Sequence, residues 1–492
     1  MLPIPLHVNG WVLLKLTSNA ETMKKVFLYS IITVLLGACN VLNPNITDDV
    51  YIGNSGATSS WVNGLRRQLA LTMNQVVVST ELVSDDYYNN RTLSSKLFDI
   101  PQIDYFDLDV NNLQIQVQSL REMAEYGLNK VLPGDITTKA ADSAEVYFSL
   151  AFAHILSGEL FVGLPGSSGG VVLTPTEHLN LAIASLDKAI SLLPANDEQT
   201  AYILLKARVY YSLGDAVNAA KYANIAKVKN TLLRQVKYDG INGVNNDMQT
   251  YLFSSTNNEF APLPRLDFLD PKYYHTGLAS SDQKPVTIVK GEEAYLIIAE
   301  SQIAANTLDA GRQTLKDLLT QVIAVRPVVQ LDDSKETRNG GNRTDYPLTA
   351  VNLKFDASDS TRSNYVLNRK TGTINAYTVS GTKVTAAELD AAVTQDQLLY
   401  LLYRMRQEIF MAEGRRMTDL GIKFPVSQTE QLNNKNVKDA DIKAQIPSFI
   451  PLARGMDDFT YDVANGIVTM KYDMNKVLVA NKQAKEIFPF IN

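Results

Sequence analysis

At 492 residues the chain is long enough for a large core and too long for one simple helical bundle. Its 46 Lys and Arg against 52 Asp and Glu leave a formal charge of -6, without the concentrated basic face that nucleic-acid phosphates require. The four histidines, His7, His154, His178 and His275, are scattered with no metal-ligand spacing, so neither a metal nor another cofactor is expected.

The first predicted feature along the chain is a secretion signal. Met23-Lys24-Lys25 is a short basic start, Val26 to Leu36 is an almost unbroken apolar run, and Gly37-Ala38-Cys39 follows. The run is too short for a ~30 Å hydrocarbon core, which takes about 20 residues. It fits the apolar part of a signal peptide with small residues before the cut. Leu36-Gly37-Ala38-Cys39 resembles a bacterial lipobox, making the single cysteine, Cys39, the lipidated first residue of a mature chain. The stretch before Met23 then reads as an upstream start. A buried free cysteine closing an apolar helix is the alternative. Residues 1–38 are therefore assigned to the upstream stretch and signal. Residues 39–58 form a polar, Asn/Asp/Gly-rich tether, and 59–492 a single domain.

Helical periodicity begins near Trp61 and is clearest in hairpins at about 141–194, 198–228 and 291–325, with a late helix over 394–420. The hairpins carry small residues where two tetratricopeptide helices would cross: Ala207, Gly214, Ala219, Ala223 and Ala226 in one, and Ala151, Gly158, Ala182 and Ala189 in another. The latter is split, with Glu159 to Thr176 lengthening its connection. The unit at 291–325 is weaker, because Gly311 stands where alanine is usual. Residues 229–285 are broken by four prolines, 328–365 read as a loop excursion, and Asn465-Gly466 marks a β-hairpin turn. The predicted class is mainly α: a tetratricopeptide-like helical repeat scaffold with irregular, loop-rich insertions and small β-hairpins.

A split first repeat in a lipoprotein resembles the SusD/RagB family. Trp61-Val62-Asn63-Gly64-Leu65, Glu81 and Ser84-Asp85-Asp86-Tyr87 are similar to its opening helix and acidic turn. Leu160-Phe161-Val162-Gly163-Leu164-Pro165 sits where the family has an aromatic-Gly-x-x-Pro turn, with the proline one residue early. Asp270-Pro271-Lys272 replaces its Asp-Pro-Arg. The most specific match is Arg406-Gln407-Glu408-Ile409-Phe410-Met411-Ala412-Glu413-Gly414-Arg415-Arg416, closing on Asp419-Leu420. The resemblance implies an outer-membrane, lipid-anchored subunit facing the cell exterior. Such a subunit captures an oligosaccharide or peptide and delivers it to a SusC-like TonB-dependent transporter. A periplasm-facing repeat scaffold without a small ligand is the second reading.

Unaided by the resemblance, Glu408 and Arg415 stand two turns apart on one predicted helix face. Asp419 can pair with Arg415 or Arg416 at helical spacing, which reads as a structural network. Gly166-Ser167-Ser168-Gly169-Gly170 matches the spacing of a nucleophile elbow but lacks a strand before it and a helix after it, and no catalytic role is assigned. Sugar faces stack on aromatic rings. Tyr87-Tyr88 and Tyr273-Tyr274 fall in irregular polar stretches and are the candidate ligand platforms.

Overall fold

A computed structural model describes residues 52–89, 98–253, 259–336, 346–453 and 455–491. Cys39, the signal and most of the tether lie outside them. Helix α1 (Ala57–Val83) is followed by α2 (Leu108–Tyr126), which a single π-helical segment extends over Gly127–Val131. Val110, Leu113, Val117, Leu120 and Ala124 recur every three or four residues, giving α2 one buried stripe. The π segment lies where Gly127 meets Trp61, whose indole Nε1 would be 2.8 Å from any Cβ there and instead donates to the Met123 carbonyl.

The predicted hairpins are present. They comprise α3 (Ala140–Leu160) with α4 (Pro175–Leu192), α5 (Asp197–Ser212) with α6 (Ala216–Lys227), and α7 (Glu292–Ala304) with α8 (Leu308–Gln321). Thr174 and Glu177 form a capping box that starts α4, with Pro175 at its first position. Gly214, at φ 75°, makes the tight turn into α6, whose N-cap Asp215 accepts from the Asn218 amide. Helix α4 packs on α5 and α6 on α7, so the hairpins form one continuous stack. Glycine at 311 now has a reason: a Cβ there would sit 2.6 Å from Ile303 Cγ1, so α7 and α8 approach more closely than alanine allows.

The late helix differs from expectation. Helix α9 (Gln395–Ile409) stops at Ile409, and a one-turn α10 (Arg416–Asp419) follows. Ala412 at φ 58° and Gly414 at φ 73° lie in the left-handed region, which no continuing α-helix accommodates. Glu408 and Arg415 therefore do not share a helix face. Last comes α11 (Met474–Ala480).

The strands are short. β1 (Tyr87–Asn89) pairs antiparallel with β5 (Phe260–Pro262), and β2 (Leu164–Pro165) with β3 (Val172–Leu173). The Gly166–Gly170 stretch is thus the turn of a minimal hairpin, with the two-residue β2 directly before it where no strand was expected. β4 (Leu233–Val236) pairs with β6 (Val286–Lys290), and β7 (Val328–Leu331) with β9 (Ile374–Tyr377). The Asn465-Gly466 turn joins β10 (Phe459–Asp462) to β11 (Ile467–Met470), which β8 (Asn352–Lys354) extends in parallel.

Candidate functional site

The segment after α9 gathers several buried ion pairs. Gly414 brings the chain against α1, where a Cβ would lie 3.0 Å from Val76 Cγ1. The Glu81 carboxylate on α1 accepts from the backbone amides of Ala412 (3.1 Å) and Gly414 (2.8 Å), holding the left-handed turn. Arg416 clasps Asp85 with Nε–Oδ1 at 2.5 Å and Nη2–Oδ2 at 3.0 Å. Arg406 takes Asp419 in the same two-pronged way, at 3.0 and 2.7 Å. Arg415 reaches Glu293 at 2.8 Å. Glu408 accepts from the Thr382 hydroxyl and the Lys383 amide.

The four expected network residues, Glu408, Arg415, Arg416 and Asp419, are all buried. Their expected pairing with one another is corrected: each bonds to a different segment, because the break at 410–415 turns their side chains apart. Burial, then the Asp86 charge, holds the Glu81 carboxyl well above the usual carboxylate range. Burial, then the neighbouring Asp85 charge, pushes Asp86 up to about 7.

The four candidate tyrosines are placed differently from expectation. Tyr87 is 1% exposed, Tyr88 3%, Tyr273 0% and Tyr274 6%. Tyr87 and Tyr88 form β1, and the Tyr273 hydroxyl donates to the Ala412 carbonyl at 2.9 Å. Tyr87, Tyr88 and Tyr273 are core residues and offer no ring face for stacking. Irregular backbone did not mean exposure here, because β1–β5 and the 3-10 turn at Asp267–Tyr273 are packed on all sides.

Tyr274 is the exception in position. It lines a cleft of about 190 Å³ between the β4–β6 and β7–β9 sheets. Phe253 holds its ring edge-on, with centroids 5.3 Å apart. Gln235 from β4, Thr378 just past β9, Pro271, Pro285 and Val329 complete the wall with Lys272 and Lys284. Both lysines are neutralised, Lys272 by Glu413 and Lys284 by Asp282, each at 2.6 Å. The cleft therefore combines apolar faces with hydrogen-bonding groups and carries little net charge. Gln235, Lys284, Val329 and Thr378 gave no sequence signal, because four distant segments supply them. Among the described residues, no group of three or more His, Cys, Asp or Glu could hold a metal, and no helix is long and apolar enough to cross a membrane.

The stack of helix hairpins with its irregular segments gathered into small sheets is similar in fold to solved structures of SusD superfamily proteins. A SusD superfamily protein from Bacteroides fragilis aligns over 78% of this chain and 98% of its own, with TM-score 0.51 and 14% identity. One from Parabacteroides distasonis covers the same shares at TM-score 0.52 and 12% identity. A candidate sugar-binding protein from Bacteroides vulgatus does so at 0.51 and 11%. The likeness is one of fold. No protein-family model matches the sequence, and no curated protein does.

Proposed function

We propose that this chain is a surface-exposed ligand-capture subunit. It is anchored in the outer membrane through Cys39, binds an oligosaccharide or a peptide, and delivers it to a SusC-like TonB-dependent transporter. The observation that carries this reading is the combination of a SusD-type fold with a charge-neutral cleft built by irregular segments. A sugar presents hydroxyls and flat apolar faces, which suit Gln235, Thr378 and the edges of Tyr274, Pro271 and Pro285. The likeness to a candidate sugar-binding protein supports the oligosaccharide over the peptide. Binding without turnover is the proposed activity.

Val217, Ile225 and Val228 are exposed on and just beyond α6, giving the repeat side an apolar outer surface suited to a protein partner. In this reading the partner is the transporter. The same surface would serve the second reading, a periplasm-facing scaffold without a small ligand. Applying the full chain to a glycan and peptide array, with protease treatment of intact cells, separates the two. Glycan binding and cleavage from outside are expected. Protection from protease together with a blank array would favour the scaffold.

A further inference from the structure

The largest cavity among those described lies elsewhere, on the repeat side. It encloses about 610 Å³ between the ends of α3 and α5, the start of α4, the 418–423 segment and the C-terminal Lys485–Pro489 stretch. That volume is within the roughly 300–1,000 Å³ of small-molecule sites. Leu179, Tyr403 and Ile422 give it apolar wall; Thr418 and Gln445 give it polar wall.

Its charges do not cancel. Arg406 is matched by Asp419, Arg415 by Glu293 and Glu159 by Arg208. The exposed Lys485 and Glu486 lie at the rim. Lys423 is left: its ammonium donates to the Gly158 carbonyl at 2.6 Å, and no carboxylate stands within ion-pair distance of it among the described residues. Two further polar atoms of lining residues, Thr418 Oγ1 and Arg406 Nη1, are buried without a hydrogen-bond partner.

We infer that this cavity binds a small monocarboxylate of about sugar size, with its anion on Lys423 Nζ. A bound carboxylate would supply the missing counter-charge for this half-buried ammonium. Burial already pushes Lys423 down to about 8, with Glu159 opposing only in part. Tyr211 and Tyr403 are held well above the usual phenol range by burial, so they stay neutral as Lys423 titrates.

The test is calorimetry of the full chain with D-glucuronate, with D-glucose as the uncharged control. Glucuronate binding is expected near pH 7, weaker by about tenfold or more near pH 10, where Lys423 is neutral. Glucose is expected to show none at this site. Lys423→Met should abolish glucuronate binding and Lys423→Arg should retain part of it. The pH comparison on the unaltered protein stands even if Lys423→Met fails to fold. The proposal is overturned if glucuronate does not bind at millimolar concentration, if Lys423→Met removes glucose binding as fully as glucuronate binding, or if glucuronate binding is the same at both pH values.

Discussion

Arg416 and Asp85 are 331 residues apart in the sequence and in direct contact in the fold. Removing one partner of such a buried pair leaves an unmatched charge and costs about 3–5 kcal/mol. Arg416→Ala should therefore lower the melting temperature sharply; a near-native melting curve would show that the pair does not hold α10 to α1. The neighbouring Asp86 makes a pH-dependent contribution. An aspartate in an unfolded chain titrates near about 3.9, and burial followed by the Asp85 charge raises Asp86 to about 7. Because the folded value is the higher one, the stability from holding that proton is full below about pH 4 and is lost as pH rises through about 7. Asp86→Asn keeps the shape of the side chain without the titration, so urea midpoints at about pH 5 and pH 8 should differ less in the variant than in the parent. Equal differences in the two proteins would remove Asp86 from the explanation. The sequence marked Glu408, Arg415, Arg416 and Asp419 as charges to be matched, but not their partners. Periodicity assumes a continuous helix, and the left-handed backbone at Ala412 and Gly414 interrupts it.

At the scale of elements, glycine inside a helix ordinarily weakens it by about 0.5–1 kcal/mol relative to alanine. Gly64 in α1 has only Met123 Cε near a would-be Cβ, at 3.7 Å, so Gly64→Ala should stabilise the chain by about that amount. Gly158 in α3 has the Pro175 carbonyl oxygen at 2.9 Å, on backbone that cannot step aside as a side chain end can. Gly158→Ala should destabilise by about 1–3 kcal/mol, the cost of overpacking. Thermal melts of the two variants should move in opposite directions, and movement in the same direction would mean that α3 and α4 are not held this closely. These hairpins were legible because small residues at crossing points and apolar residues every three or four positions are local signals. The breaks between helices were legible from Pro and Gly. Which strands pair was not, since β1 with β5 and β4 with β6 join segments whose only common property is their place in the fold.

For the whole molecule, the repeat stack presents a regular outer surface, while the irregular segments converge on the Tyr274 cleft. Tyrosines in polar, irregular sequence suggested platforms, yet all four are buried, and only Tyr274 lines the cleft. The central claim is that the cleft, not the repeat stack, takes the oligosaccharide. It is tested by the affinity of the full chain for a glycan identified on the array, compared with that of Tyr274→Ala at matched thermal stability. The predicted result is a loss of about 1 kcal/mol or more, on the scale of one aromatic contact. Unchanged glycan affinity in a folded Tyr274→Ala protein would contradict it.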